Sequence, residues 1–309
     1  MVDVVISEFM DNDVATQILT EFDSHWDPDL WKKRNELKSL LQTAKAVIVR
    51  NATVVDEDLL ASAPLLKMVA RMGVGLDNID LEACKSRGIE VCPSIGANAV
   101  SVAEYVIASA MILLRGQTFF ATNEVVQGTW NRPKYAGSGE LAGKVMGIIG
   151  FGSIGQVLGK KAAAMDMEVI AYDSMITADD PAWALAERVS LNFLVETADV
   201  ISLHCPKLPD TIDLINSEKF NRMKRTSILI NTARGGIVNE ADCANALRSG
   251  QISGVAIDTL DKEPITKEVG QLFAGLDNVI LTPHVAGVTK ESNRRIAEFA
   301  AENVKRLLG

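Results

Sequence analysis

Histidine is nearly missing from this chain and cysteine is scarce: there are three histidines (His25, His204, His284) and four cysteines (Cys84, Cys92, Cys205, Cys243) in 309 residues. No two cysteines form a C-x-x-C pair and none stands beside histidine at zinc spacing, so no metal centre is expected. Four unpaired thiols in a chain this long speak against a disulfide-stapled secreted scaffold and fit a reducing, cytoplasmic setting. A basic face is lacking as well. The formal net charge is −9, which disfavours nucleic acid and anionic membrane surfaces as partners. A small anionic substrate stays compatible, because a few local arginines can dominate one site. There is no low-complexity tract, internal repeat or flexible linker. The longest apolar run, Tyr105–Leu114, is shorter than the roughly 20 residues a bilayer needs and reads as a buried helix. The opening residues show neither a charged n-region nor an A-x-A site, so no signal peptide is expected.

What is present is alternation. Short β-branched runs recur at Val2–Ile6, Ala46–Arg50, Leu66–Ala70 and Ile89–Val91, then at Val145–Gly150, Glu168–Tyr172, Val200–His204, Ser227–Asn231, Gly254–Asp258 and Asn278–Leu281. Most are continuously apolar rather than alternating, as in parallel strands covered on both faces. Helices are expected between them: Ile154–Met165 after a glycine loop, Asn239–Ser249 from a plausible N-cap, and Lys290–Leu308 with Ile296, Phe299, Ala300, Val304 and Leu307 on one stripe. The alternation falls into two blocks, and this length suits two domains at roughly 100–200 residues each. The apolar helix Val100–Leu114 sits between the blocks, and the last helix is expected to return to the first. The expected division is 1–97 and 285–309 in one α/β domain and 98–284 in the other, with crossings near 96–100 and 283–288. His25 and Trp26 read as loop residues.

Gly150-Phe151-Gly152-Ser153-Ile154-Gly155 fits G-x-G-x-x-G, with a strand before it and a helix after it. Alone the motif is weak, and a chance glycine turn is the bland reading. In this context the first glycine makes the tight turn, the second admits a pyrophosphate, and the third lets helix and strand pack closely. The helix N-terminus, at Ser153 and Ile154, then faces the phosphates. A second strand ends at Asp173, 18 residues past the third glycine (173 − 155). A carboxylate there can bind both ribose hydroxyls and repel a 2′-phosphate, which favours NAD over NADP.

Three downstream segments place polar residues at strand ends, where open α/β sheets bind ligands: Asn231-Thr232-Ala233-Arg234-Gly235-Gly236, Asp258-Thr259-Leu260-Asp261-Lys262-Glu263-Pro264 and Thr282-Pro283-His284-Val285-Ala286-Gly287. An arginine can hold a carboxylate in bidentate fashion. A histidine can exchange a hydroxyl proton, and a glutamate can orient it. The residues alone do not show that the three meet, and a lone histidine is more often structural.

These segments resemble the D-isomer-specific 2-hydroxyacid dehydrogenases, a family that includes phosphoglycerate dehydrogenase. The resemblance runs along nearly the whole chain, through Val49-Arg50-Asn51-Ala52-Thr53, Arg71-Met72-Gly73-Val74-Gly75-Leu76-Asp77-Asn78-Ile79-Asp80, Ser101-Val102-Ala103-Glu104, Glu140-Leu141-Ala142-Gly143-Lys144 and His204-Cys205-Pro206. It implies two doubly wound α/β domains, a Rossmann dinucleotide-binding domain inserted in a flavodoxin-like substrate domain. It implies NAD as cofactor and hydride transfer at the hydroxyl-bearing carbon of a small 2-hydroxy acid. Arg234 would bind the substrate carboxylate and carbonyl, His284 would be the acid/base and Glu263 its partner. The amides of Val74 and Gly75 would help hold the carboxylate. His204, Pro206, Ala233, Asp258 and Gly287 would line the cofactor, although Asp258 could equally cap a turn. The family pairs as a homodimer through the Val100–Leu114 region. Two departures stand out: Ser153 replaces a common arginine, and Tyr105 occupies a position where histidine is common. With 25 residues after His284 (309 − 284), the regulatory domain of longer phosphoglycerate dehydrogenases is not expected.

Arg50, Arg71 and Arg132 match positions that face the distal anion in phosphoglycerate dehydrogenases, which points to a three-carbon acid with a second anion, 3-phosphoglycerate or 3-sulfolactate. Val5-Ile6-Ser7-Glu8-Phe9-Met10, Arg50-Asn51 and Gly96-Ala97-Asn98-Ala99-Val100 look closer to the short sulfolactate dehydrogenases. The bland reading of the arginines is solvated surface charge. A corepressor-like, NAD-sensing scaffold is the rival within the family, and the absence of an interaction tail speaks against it. A formate dehydrogenase is disfavoured, since that branch carries Gln at the position of Glu263.

Overall fold

The computed structural model describes Val2–Gly309 and separates into two compact units, one of residues up to Asn98 plus Val288–Gly309 and one of Ala99–Gly287. The first unit holds strands β1 (Val4–Ile6), β2 (Ser24–Trp26), β3 (Ala46–Val49), β4 (Met68–Arg71) and β5 (Glu90–Pro93). All pair in parallel, in the order β2-β1-β3-β4-β5, which is the flavodoxin-like order. Successive side chains leave a strand on opposite faces, and each face has its own core. Val4, Ile6, Ala46, Ile48 and Met68 pack on one side; Val5, Val47, Val49 and Val69 pack on the other.

The helix Lys290–Leu308 covers the first of these faces with Ile296, Ala297, Ala300, Ala301 and Val304. Fully burying a side chain such as Ile296 or Val304 contributes about 1.5–3 kcal/mol. Thr289 opens this helix with a capping box, taking the Ser292 amide on its hydroxyl at 3.0 Å while the Ser292 hydroxyl takes its own amide.

The second unit holds β6 (Val145–Ile149), β7 (Glu168–Tyr172), β8 (Glu187–Arg188), β9 (Val200–Leu203), β10 (Ile228–Asn231), β11 (Gly254–Ile257) and β12 (Val279–Leu281). They form one parallel sheet in the order β12-β11-β10-β9-β6-β7-β8. Strand order reverses between β9 and β6, the Rossmann arrangement, and ligands of such sheets bind outside the carboxyl ends at that switch point. Again there are two cores: Ile149, Leu203, Leu229 and Val255 on one face, and Met146, Ile148, Ile230 and Ala256 on the other. The helix Ala99–Arg115 lies on the second face through Ala103, Val106 and Ala110. The helical stretch Ala99–Val126 is long and apolar enough to cross a membrane by length and composition; its Ala103, Val106 and Ala110 lie in the core of the second unit.

Strand edges fall within two residues of the sequence expectations, Glu168–Tyr172 at both ends as expected, and two strands escape them. Ser24–Trp26, expected to be loop, is β2: it joins β1 by backbone pairing, and the Trp26 indole donates to the Glu8 carbonyl at 3.1 Å. Glu187–Arg188 is a two-residue edge strand with both side chains exposed. Neither segment carries an apolar run. All four cysteines are free thiols. Burial pushes Cys205 to about 11 and Cys243 to about 12, so neither is a thiolate at neutral pH.

Candidate active site

The carboxyl ends of β12, β11, β10, β9, β6 and β7 bring the second unit's predicted residues onto one edge of the sheet, in that order. His284 follows β12, Asp258 and Glu263 follow β11, Arg234 follows β10, His204 and Pro206 follow β9, the glycine loop follows β6, and Asp173 follows β7.

The His284 ring is paired: its Nδ1 lies 2.7 Å from Glu263 Oε2. The other Glu263 oxygen accepts the Leu260 amide at 3.0 Å, so the carboxylate is aimed by its own loop. Glu263 therefore fixes the ring orientation, and Nε2 has no partner among the described residues. The backbone of His284 is in the left-handed region, with φ +56°, uncommon for a residue that is not glycine.

Asp258 accounts for this conformation. It is 2% exposed. Its Oδ1 accepts the Thr282 hydroxyl at 2.5 Å and the Val285 amide at 2.8 Å; its Oδ2 accepts the Ala286 amide at 2.9 Å. The His284 amide donates to the Asp258 carbonyl at 2.9 Å. The Tyr105 hydroxyl lies 2.7 Å from Thr282 Oγ1. Because the Thr282 proton goes to Asp258, Tyr105 is the donor there. Asp258 thus caps the turn that carries His284.

Arg234 is half-buried and donates from Nη1 to the Ala233 carbonyl at 2.8 Å. Its loop is closed by Asn231, whose Oδ1 accepts the Ala233 amide at 3.1 Å and whose Nδ2 donates to the Arg234 carbonyl at 3.0 Å. Gly287 ends the His284 loop. His204 shares a 2.9 Å hydrogen bond between Nε2 and Ser202 Oγ. Part of the residue reaches solvent, but its Nδ1 is out of water with no partner. Burial pushes the ring down to about 3, so it stays neutral and is no general base at working pH.

The glycine loop fits a dinucleotide. Gly150 has φ +91°, and a Cβ on it would lie 2.6 Å from the Cys205 amide nitrogen. A Cβ on Gly155 would lie 2.4 Å from the Gly150 carbonyl oxygen. Around Gly152, by contrast, a Cβ would meet open space. The helix Ser153–Ala163 starts there with no side chain capping it. Its first amides are thus available to a phosphate. Asp173 takes the Phe151 amide on Oδ2 at 2.7 Å and the amides of Met175 and Ile176 on Oδ1 at 2.7 and 3.1 Å, which ties the acid to the loop it would serve. Among the described residues no metal-binding cluster of His, Cys, Asp and Glu occurs.

In the first unit, Arg50 directly follows β3 and Arg71 ends the neighbouring strand β4. The Arg71 guanidinium folds back over Gly73 (φ +140°), where any Cβ would collide with it, and donates from Nη1 to the Met72 carbonyl at 2.5 Å. Among the described residues the amides of Val74 and Gly75 donate to no group. Arg50 donates from Nη2 to Asn293 Oδ1 at 2.9 Å. Arg132 opens the exposed turn Arg132–Tyr135 in the second unit. Two supports went unassigned in the sequence reading. Asn78, inside a quoted motif, donates to the carbonyls of Arg50 and Thr53 at 3.0 and 2.6 Å. Tyr105, a departure from the family pattern, holds Thr282 Oγ1.

Residues 108–286 match the model for the D-isomer specific 2-hydroxyacid dehydrogenase, NAD binding domain. The chain is 43% identical over 310 aligned residues to the (S)-sulfolactate dehydrogenase of Chromohalobacter salexigens, covering 100% of this chain and 99% of that protein. It is 37% identical over 271 residues to a D-3-phosphoglycerate dehydrogenase of Archaeoglobus fulgidus, covering 88% of this chain but only 51% of that longer protein. Among solved structures, D-lactate dehydrogenase of Aquifex aeolicus, complexed with NAD and lactic acid, superposes with a TM-score of 0.83 at 29% identity, covering 99% of this chain and 95% of that one.

Proposed function

Because the chain belongs to the D-isomer-specific 2-hydroxyacid dehydrogenases, NAD-dependent oxidoreductases acting on CH–OH groups, we propose that its substrate is a three-carbon D-2-hydroxy acid carrying a second anion, with 3-sulfolactate ahead of 3-phosphoglycerate. The observation that carries the reading is the arginine pair Arg50 and Arg71 at the carboxyl ends of adjacent strands. A protein at −9 does not gather a dianion without such groups, and desolvating the ligand is costly unless it is paired. A lactate needs no such pair. The end-to-end match to a sulfolactate dehydrogenase favours sulfonate over phosphate, since the phosphoglycerate dehydrogenase is matched over half its length. The stereochemistry agrees. Sulfur outranks the carboxyl oxygens in the priority rules, so (S)-sulfolactate has the same spatial arrangement as D-lactate.

In this reading NAD, when bound, would supply the hydride acceptor for C2. His284 takes the hydroxyl proton on Nε2, while Glu263 holds Nδ1. Arg234 pairs with the substrate carboxylate and polarises the oxygen at C2, and the amides of Val74 and Gly75 supply further carboxylate donors. Asn51, Arg50 and Arg71 bind the second anion, and Arg132 is the third arginine to test. The glycine loop from Gly150 to Gly155 with Ser153 and Ile154 holds the pyrophosphate, and Asp173 holds the ribose.

The protein acts as a cytoplasmic homodimer in this reading. The helix Ala99–Arg115 runs into a segment whose Phe119, Phe120 and Trp130 are 60%, 62% and 76% exposed, an apolar surface of the kind that stable dimers cover.

The test is kcat/KM with NAD for 3-sulfolactate, 3-phosphoglycerate, glycerate and lactate, on wild type and on Arg71→Ala and Arg132→Ala. Removing an anion-holding arginine should chiefly raise KM for the dianions, since it grips ground state and transition state alike. Wild type that turns over lactate or glycerate as well as either dianion defeats the reading.

A further inference from the structure

The motif Val5-Ile6-Ser7-Glu8-Phe9-Met10 carries a glutamate that the reaction does not use. Glu8 is only 4% exposed, and a carboxylate that far out of water requires donors. It finds them in one place, the loop after β3. Glu8 Oε1 accepts the amides of Arg50 and Thr53 at 2.8 and 2.9 Å, and Oε2 accepts the amide of Ala52 at 3.0 Å. The loop is braced from its other side by Asn78 on the Arg50 and Thr53 carbonyls. The Ser7 hydroxyl, 2.8 Å from Thr53 Oγ1, completes the brace. Within Arg50–Thr53, then, three amides converge on one internal carboxylate. The fourth, on exposed Asn51, donates to no group among the described residues.

Converging backbone amides form an anion-binding nest. Left empty, this one would compete for the substrate's anion from the wrong side of the loop. We propose that Glu8 is a positioning residue that sets substrate specificity: its carboxylate permanently fills the inner nest of loop 50–53, so that the Asn51 amide and the Arg50 guanidinium are the donors left for the substrate's second anion. The inference rests on the two-anion substrate reading above. Two further features agree with it. Asn293 anchors one arm of the Arg50 guanidinium at 2.9 Å, which limits its swing. The Glu8 charge also works against the lowering that burial imposes on Arg50.

The discriminating variant is Glu8→Gln, which keeps size and can keep Oε1 but sets an NH2 group against the Ala52 amide, donor against donor. Its KM for the two-anion acid should rise about tenfold, the scale of one unmade buried hydrogen bond, with kcat changed less than about twofold. KM for NAD and kcat/KM for glycerate should be unchanged, which a general loss of structure would not allow. Residue-resolved hydrogen exchange on wild type tests the same idea even if the variant folds poorly. The amides of Arg50, Ala52 and Thr53 should be protected in the free enzyme, and that of Asn51 only once the two-anion acid is bound. Wild type without preference for a two-anion acid overturns the substrate reading and this inference together. A Glu8→Gln enzyme that keeps wild-type KM for that acid, or an Asn51 amide indifferent to it, overturns the inference alone.

Discussion

Replacing Asp258 by Asn should cripple turnover while leaving cofactor affinity alone. The carboxylate holds three donors from the His284 loop: Thr282 Oγ1 and the Val285 amide on Oδ1, and the Ala286 amide on Oδ2. Asparagine offers one acceptor oxygen. Placed to keep the two Oδ1 bonds, it sets its NH2 against the Ala286 N–H, so one charge-assisted bond becomes a clash of donors. A hydrogen bond to a charged group contributes about 1.5–3 kcal/mol, and an unsatisfied buried donor costs about 1–3 kcal/mol. His284 itself sits at φ +56°, a conformation that costs on the order of 1 kcal/mol and persists only while its surroundings enforce it. Of this local sum, about 2–3 kcal/mol expressed as misplacement of His284 would lower kcat about 30- to 150-fold, at about 1.4 kcal/mol per factor of ten. Partial relaxation of the loop leaves a floor of about tenfold. Steady-state NADH absorbance with the two-anion acid reads both kcat and KM for NAD, and the latter should move less than about twofold. Two results would refute the reasoning: a kcat within about twofold of wild type, or a preserved kcat with a steep rise in KM for NAD, which would make Asp258 a cofactor contact rather than the clamp of the catalytic loop.

Asp173→Ala should narrow the preference for NAD over NADP, because it removes the charge that repels a 2′-phosphate. It should also slow the NAD reaction, since the Phe151, Met175 and Ile176 amides lose their acceptor; an unchanged NAD to NADP ratio of kcat/KM refutes this. His204 is held neutral, with its value pushed down to about 3, against about 6.5 in an unfolded chain. Below pH 6.5 the unfolded chain takes up a proton that the folded one refuses, so this stability is present above pH 6.5 and lost as pH falls toward 3. Between pH 6.5 and 5 the loss is at most about 2 kcal/mol, and thermal melts of His204→Gln should show a flatter acid slope than wild type; equal slopes would disprove it. Light scattering at micromolar concentration should return twice the 33.3 kDa chain mass; a monomer mass rules out the dimer.

The strands that sequence patterning marks best are the fully buried ones, such as Ile228–Asn231 and Gly254–Ile257, where both faces must be apolar and the run betrays itself. Ser24–Trp26 escapes because an edge strand needs only backbone pairing, and its side chains are free to be polar. Among the site residues, the motifs around Arg234, Glu263 and His284 are local in sequence and were legible with their spacing. The reason His284 adopts a left-handed backbone was not, because it lies in a carboxylate 26 residues away (284 − 258) and a tyrosine on the helix Ala99–Arg115. Glu8 was visible as a letter in a motif, yet its partners are more than 40 residues on.

Sequence by itself determined what depends on neighbours along the chain. It set the alternation of apolar strands and helices, the glycine turn whose third residue tolerates no Cβ, the acid at the end of the next strand, and the absence of any metal-binding spacing. Tertiary structure decided what depends on neighbours in space. It made Asp258 a clamp and turned Glu8 inward. The physical reason is that hydrogen bonds from a buried carboxylate are governed by distance and direction across the fold, and neither is encoded in the spacing of residues along the chain.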